Sequence, residues 1–264
     1  MKMLSKARVL IIVASLLFSW RAFAQNAQVL EQAQQLLDWL GFRALLEQVP
    51  ATLDASINAE AHFRKATPQQ VANWRRELEP RLKPQQLYQD LAHYLGDRYV
   101  ADTFQHAAQR LQQPLAKRAR YFDLAMTQPG AEKNLRDFFA QNEHAQSGAE
   151  TRRVLMQEID AATASSLLIA TMQTAIGDRV HQVAGGPAAD AATVQAQIAE
   201  RQRYLASLTV AYLLYDYRYL RDDELSDYRD LMRDEKLQWL LDVGRQGLAA
   251  TLEGDIKPPP DLRR

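Results

Sequence analysis

The chain has 264 residues, no cysteine, and 32 basic against 32 acidic residues. Residues 1–24 carry four basic residues and no acidic one, so the other 240 residues carry 28 basic and 32 acidic residues, a net charge of −4. That balance argues against a nucleic-acid or anionic-membrane partner, because neither would meet a positive field. The absence of cysteine excludes disulfides and thiolate chemistry. Stability must therefore come from a hydrophobic core, for which 240 residues are sufficient.

The N-terminus has the pattern of a secretory signal peptide. Three basic residues between positions 2 and 8 precede an uncharged apolar run from Val9 to Phe18, and Ala22-Phe23-Ala24 supplies the small residues of a cleavage site. We therefore predict cleavage after Ala24 and a periplasmic location. The run is shorter than the roughly 20 apolar residues of a membrane span, so we expect no integral span after cleavage. A signal that stays uncleaved as an anchor is the alternative.

After the signal, apolar residues recur every three or four positions, which is typical of helices, and no stretch alternates as a strand would. Gly41 should end the first helix, and Pro50 should bend or divide the second. Thr67-Pro68-Gln69-Gln70 has the pattern of an N-terminal capping box. Further along, Gly96-Asp97 and Pro129-Gly130 should interrupt helices.

The polar residues 141–149 are the best candidate for a boundary between two halves. We predict an N-terminal helical half at 25–145, a C-terminal helical half at 146–252 and a disordered tail at 253–264, which contains three consecutive prolines. One long helix is predicted from Thr151 to Val180. The expected fold class is all-α, a helical bundle of eight to ten helices in two packed sub-bundles.

The stretch from Ile198 to Leu248 has the strongest helical pattern. Six apolar residues fall on one stripe, which we predict to face the core: Ile198, Leu205, Leu208, Tyr212, Tyr215 and Tyr219. Four more fall on its flanks: Val210, Leu213, Leu214 and Tyr217. A helix that is apolar almost all round is expected to be buried. Leu208→Ala should then cost about 2–5 kcal/mol as a buried truncation. Asp222 is predicted to cap the helix that follows.

Tyrosines are concentrated in the same stretch, and they either rim a core or line a groove. The residues predicted to bind a partner in a groove are Tyr212, Tyr215, Tyr217, Tyr219, Arg218 and Arg221. The arginines lie near enough in sequence to satisfy tyrosine hydroxyls. If the groove interpretation holds, Tyr217→Ser, on a flank, should impair function more than stability.

Residues 35–46, QLLDWLGFRALL, resemble the opening of the domain-of-unknown-function 2059 family of exported bacterial helical proteins. Phe122 followed by Pro129-Gly130 is similar to a later pattern of that family, and the stretch from Asp222 to Trp239 partly repeats it. The resemblance covers about two-thirds of the mature chain. It implies an all-helical periplasmic protein and brings no catalytic residues.

No established catalytic motif is present. The sequence has no HExxH pattern, no Gly-x-Ser-x-Gly elbow and no glycine-rich phosphate loop. Asp90, His93 and Asp97 would share a helix face, but a di-iron bundle site needs a second Glu-x-x-His, which the chain lacks. We therefore predict no metal and no cofactor.

We predict a non-enzymatic binding or interaction protein of the cell envelope, with another protein or an apolar ligand as its partner. The alternative is a helical periplasmic enzyme that acts on cell-wall material through a carboxylate whose pKa is raised by burial. Three glutamates on predicted helices are available for that role: Glu77, Glu158 and Glu200. Whether the chain has any enzymatic activity stays open between these two.

Overall fold

The structure is a computed structural model that describes residues 26–125, 131–142 and 149–254. The fold is all-α and 84% helical, with 13 helices and no strand in the described residues, so the predicted helical bundle is confirmed. The helices are α1 (26–39), α2 (Phe42–Glu47), α3 (Val49–Arg64), α4 (Pro68–Leu78), α5 (Pro84–Gly96), α6 (Ala101–Leu111), α7 (Pro114–Ala125), α8 (Ala131–Asn142), α9 (Ala149–Thr163), α10 (Ser165–Val183), α11 (Ala191–Asp216), α12 (Asp222–Met232) and α13 (Glu235–Glu253).

The predicted stops in the first half of the chain are confirmed. Gly41 has φ 83°, a left-handed conformation that separates α1 from α2. Gln48 separates α2 from α3, and Pro50 lies in the first turn of α3, where its missing N–H costs nothing. At the start of α4, Thr67 and Gln70 form the predicted capping box, each side chain accepting a hydrogen bond from the other residue's backbone N–H.

The described residues form more helices than the eight to ten expected, and one reason is that a predicted helix is divided. The helix expected from Thr151 to Val180 is two helices, α9 and α10, since Ala164 adopts a left-handed conformation with φ 55°. Asp234 divides the last segment of the bundle. Its side chain accepts hydrogen bonds from the backbone N–H groups of Lys236 and Leu237 and so begins α13.

The described core is one continuous hydrophobic cluster that includes residues from before and after position 145. Helix α10 packs against α3 and α4, and α13 packs against α5 and α6. Two glycines of α13 permit close approach: a Cβ at Gly244 would lie 2.5 Å from Cζ of Phe42, and one at Gly247 would lie 2.6 Å from Cδ1 of Tyr94. Helices from distant parts of the sequence therefore share one interior.

Polar contacts also connect helices that are far apart in sequence. Nδ1 of His181 in α10 lies 3.0 Å from Oε1 of Glu60 in α3, and Nε2 of His106 in α6 lies 2.8 Å from Oδ2 of Asp234. Burial raises the pKa of Asp234, but the contact with His106 and the N–H groups at the start of α13 outweigh it, so the pKa is lowered overall. The ionised carboxylate of Asp234 therefore stabilises the junction of α6 and α13.

Several predicted features lie outside the described residues: the signal peptide at 1–24, the Pro129-Gly130 break, the boundary at 145 and the tail from 255. Helix α13 continues to Glu253, so the first residue of the predicted tail is helical. Within the described ranges, no helix has an apolar stretch long enough to cross a membrane.

Candidate interaction surface

Helix α11 buries only part of the face that was predicted, namely Ile198 and Tyr215, together with residues beside it. It packs mainly on α10 and α9. Its buried residues towards the C-terminal end are Thr209, Val210, Leu213, Tyr215, Asp216 and Tyr217. Tyr217 is only 1% exposed and is the largest fully buried side chain described. Three of the four residues expected on the flanks, Val210, Leu213 and Tyr217, thus form much of the contact with the core.

Half of the row that was predicted to be buried faces solvent instead. Leu208 is 44% exposed, Tyr212 42% and Tyr219 69%, and the neighbouring Tyr204, which was not part of that row, is 71% exposed. Nine residues make about two and a half turns of helix, so Leu208 and Tyr217 must lie on opposite sides. The prediction that Leu208 belongs to the core is therefore wrong. The error arises because a helix that is apolar all round shows its period but not which of its sides is buried.

Tyr217 was predicted to line a groove and is instead part of the core. Its ring packs edge-to-face against Tyr228 of α12, with centroids 5.7 Å apart and planes at 73°. Tyr215 is also buried, and its ring makes a similar contact with Phe138 of α8 at 5.4 Å. Of the four predicted binding tyrosines, Tyr212 and Tyr219 are therefore the two that solvent reaches.

Arg218 lies between two of these tyrosines. Its guanidinium carbon is 3.9 Å from the ring centroid of Tyr215 and 4.5 Å from that of Tyr219, and Nη1 donates a hydrogen bond to the Tyr215 carbonyl oxygen at 2.6 Å. On its other side, Tyr219 approaches Phe122 of α7 at 6.2 Å, and Phe122 contacts Tyr121 at 5.8 Å. The exposed Tyr219 is thus held among neighbouring rings and a cation.

The turn between α11 and α12 is fixed by Arg152 of α9. Its Nη2 donates hydrogen bonds to the carbonyl oxygens of Tyr217 at 2.7 Å and Leu220 at 2.8 Å, and its Nη1 pairs with Asp222. The Tyr217 carbonyl follows the last residue of α11 and the Leu220 carbonyl precedes α12, so one side chain holds both ends of the turn. Arg152 therefore sets the backbone that carries Tyr219.

Arg221, the last of the predicted binding residues, has a separate role. It occupies the cap position of α12 in place of the predicted Asp222, which is the first residue of that helix. Its backbone N–H donates to Oε2 of Glu224, and its guanidinium pairs with Asp223 at 2.9 Å. That N–H, together with the guanidinium of Arg118, lowers the pKa of Glu224. We find Arg221 in a helix start and not among the exposed rings.

We use the name aromatic surface for two groups of residues: the exposed row of Tyr204, Leu208 and Tyr212 on α11, and the ring cluster of Tyr121, the half-buried Phe122 and Tyr219. Within the described residues it holds five of the nine exposed large apolar side chains. The contribution of α7 was not predicted, because Tyr121 and Tyr219 are almost 100 positions apart and no local pattern connects them. The i, i+4, i+8 spacing of Tyr204, Leu208 and Tyr212 was visible in the sequence.

Of the three glutamates considered for catalysis, two lie beside arginines and the third is exposed. Glu158 pairs with Arg229 at 2.7 Å, and that hydrogen bond lowers its pKa. Glu77 lies 3.6 Å from Arg81 at the surface, and Glu200 is exposed. No group of three potential metal ligands occurs in the ranges that the structure describes.

One carboxylate, Asp160, is buried and has a raised pKa. Burial raises the pKa more than its hydrogen bonds with Ser166 lower it. Oδ1 accepts from the Ser166 backbone N–H at 2.8 Å, and Oδ2 accepts from the Ser166 hydroxyl at 2.7 Å. Both oxygens are thus used at the corner where α10 begins, where a carboxylate satisfies free N–H groups.

Comparison with known proteins gives no relative: no family model, no curated protein and no solved structure matches this chain. The resemblance of residues 35–46 to the domain-of-unknown-function 2059 family accordingly stays a prediction. A function must therefore be inferred from the chemistry of the described surfaces and from the predicted export signal.

Proposed function

We propose that this chain is a non-enzymatic binding protein of the cell envelope, which docks a partner protein on the aromatic surface. The observation that carries the proposal is the exposed row Tyr204, Leu208 and Tyr212 along α11, together with the exposed Tyr219 in the turn that follows the helix. Exposed apolar residues scattered singly are ordinary, whereas grouped ones mark interaction sites. Tyrosine is also among the residues that contribute most binding free energy at interfaces.

The surface is held in place before any partner arrives. Arg152 fixes the turn after α11, and Arg218 lies against the rings of Tyr215 and Tyr219. A side chain that is already ordered loses less conformational entropy on binding, so such a surface binds more tightly than a mobile one of equal area. This restraint supports a docking role for the surface.

The export signal supports the location. The basic start, the apolar run and the Ala22-Phe23-Ala24 site of the sequence support the proposal that the mature chain is periplasmic. Mass spectrometry of the exported protein tests this directly. A chain that begins at Gln25 supports cleavage after Ala24, whereas an intact N-terminus would instead support the anchored alternative.

Site-specific photocrosslinking in intact cells tests the docking surface. A photoreactive residue at position 212 should capture a discrete partner, while the same residue at position 69, on the exposed side of α4, should not. The triple variant Tyr204→Ser, Leu208→Ser, Tyr212→Ser should remove the crosslink from a probe at position 219 and leave the circular dichroism spectrum unchanged. The same captured protein at positions 69 and 212, or full capture by the triple variant, would refute the proposal.

A further inference from the structure

The charged side chains beside the aromatic surface that lack an ionic partner are mostly positive. Some charged residues within four positions of this surface are paired, such as Arg118 with Glu224 and Asp222 with Arg152. Five others form no ion pair with any residue that the structure describes, and four of the five are basic: Lys117, Glu200, Arg201, Arg203 and Arg218. The surface is therefore bordered by an excess of positive charge.

Two of these arginines border the exposed row on α11. Arg201 is exposed and precedes Tyr204 by three residues and Leu208 by seven, so it lies on the same face of the helix. Arg203 is exposed next to Tyr204 in sequence, and its Nε donates to the Ala199 carbonyl oxygen at 3.4 Å. Two guanidinium groups thus lie at the N-terminal end of the row.

Two carboxylates lie near these arginines, and neither is paired with them. Glu200 is exposed and precedes Arg201 in the sequence. Burial raises the pKa of Asp178 in α10, and the charges of His181 and Arg201 oppose that rise, but Asp178 and Arg201 form no ion pair. The arginines at the end of the row are therefore available to acceptors that another molecule supplies.

Positive charge also borders the ring cluster. Lys117 is exposed on α7, four residues before Tyr121 and on the same face of that helix. Arg218 is half-buried against the rings of Tyr215 and Tyr219, and its Nη1 donates to a backbone carbonyl oxygen and not to a carboxylate. Both groups of the aromatic surface therefore have basic neighbours.

This local excess is opposite in sign to the charge of the chain after the predicted signal. Residues 25–264 carry 28 basic and 32 acidic residues, whereas the unpaired residues beside the aromatic surface are four basic and one acidic. At protein interfaces a positive patch meets a negative one, which speeds association and disfavours wrong partners. Tyrosine and arginine are both enriched among the residues that contribute most to binding.

We propose that the partner docks on the aromatic surface through an acidic segment, an inference that rests on the docking function proposed above. Carboxylates of this segment pair with Arg201 and Arg203, and its apolar side chains cover the exposed row. Pairing a guanidinium with a carboxylate is favoured where neighbouring rings exclude water. An anionic membrane suits the surface less well, because lipid binding uses clusters of about four to eight basic residues.

Charge reversal combined with photocrosslinking in intact cells tests this proposal on the full chain. With the photoreactive residue at position 212, the double variant Arg201→Glu, Arg203→Glu should capture at least fivefold less partner than the unchanged protein. The matched control is Arg76→Glu, Lys83→Glu, which makes the same change in net charge at exposed, unpaired residues of α4 and of the turn before α5. It should change the capture by less than about twofold.

A second variant guards against a folding defect in the first. Lys117→Glu, with the probe at position 219, should lower the capture at least twofold, and circular dichroism should show an unchanged helical content in every variant. Equal capture by the α11 double variant and its control would overturn the acidic partner and leave the docking function standing. No capture at position 212 by the unchanged protein would remove both proposals together.

The captured molecule itself gives a further test. Mass spectrometry of the crosslinked adduct should find a partner segment with more acidic than basic residues, and a basic segment would overturn the proposal. The purified protein should not bind vesicles made of three parts phosphatidylcholine to one part phosphatidylglycerol. Vesicle binding that is lost in Arg201→Glu, Arg203→Glu would assign the surface to anionic lipid and would also overturn it.

Discussion

The orientation of α11 leads to a sharp prediction about two residues nine positions apart. Tyr217→Ala removes a ring that is 1% exposed and stacked edge-to-face on Tyr228, whereas Leu208→Ala shortens a side chain that is nearly half exposed. Truncating a buried aromatic residue costs about 3–5 kcal/mol, part of it from the cavity that remains. The leucine truncation opens to solvent and leaves no enclosed cavity, so it should cost about 1 kcal/mol or less.

Urea unfolding monitored by circular dichroism measures both effects. With an m-value of about 3 kcal/mol per molar urea, a loss of 3–5 kcal/mol lowers the midpoint by roughly 1–1.7 M. Tyr212→Ala is the matched control, because it removes the same ring from the exposed side of α11. It should shift the midpoint by no more than about 0.3 M, in line with a surface substitution.

The opposite ranking would show that the helix is turned the other way. If Leu208→Ala cost more than about 2 kcal/mol while Tyr217→Ala cost less than about 1, then α11 would bury the row that the structure exposes. The aromatic surface would then be part of the core, and the proposed docking site would be lost with it. This single comparison therefore tests the fold and the premise of the function together.

Three further predictions concern packing and pH. Gly244→Ala would place a Cβ 2.5 Å from Phe42 and should lower the free energy of unfolding by about 1–3 kcal/mol. Gly177→Ala meets open space and should be neutral or stabilising by up to about 1 kcal/mol. Thermal unfolding measures both variants, and equal losses of stability would contradict the close contact at Gly244. Burial raises the pKa of Asp160, so its stabilising contribution is complete below its ordinary pKa and is lost as the pH rises through the raised value. As the pH rises through that range, Asp160→Asn should therefore gain stability relative to the wild type. A difference in unfolding free energy between the two proteins that does not change with pH, measured by urea unfolding, would refute this. The pKa of Asp234 is lowered, so its contribution to stability is present above its ordinary pKa and is lost as the pH falls through the lowered value. In Asp234→Asn, the free energy of unfolding should therefore fall less steeply as the pH is lowered. An unchanged loss of stability in acid would count against the contact with His106.

The fold class and many helix ends were predictable because they depend on local chemistry. Gly41 ends a helix through its left-handed conformation, and Thr67 begins one through its side-chain oxygen, and both effects act within a few residues. The division at Ala164 was not predictable in this way. Alanine favours helix and rarely adopts positive φ, so tertiary packing and the Asp160 cap must hold the corner.

The candidate site was only partly predictable for a related reason. The sequence locates the tyrosines of α11 and their spacing, but a helix that is apolar on every side carries no signal for its orientation. That orientation comes from α9 and α10, which cover Val210, Leu213 and Tyr217.

The choice between a binding protein and an enzyme depends on two properties that a catalytic acid must combine: a raised pKa and access to a substrate. Asp160 has the raised pKa, but both of its oxygens accept hydrogen bonds from Ser166 inside the α9–α10 corner. Glu158 can be reached by solvent, but Arg229 lowers its pKa, which keeps it ionised. Neither carboxylate meets both requirements. The row along α11 does combine what a docking surface needs, since its tyrosines are exposed and the turn that continues it is fixed by Arg152. Asp178 does have a pKa raised by burial together with partial exposure, so the proposed binding role depends on the exposed row of α11 and not on the absence of a suitable carboxylate.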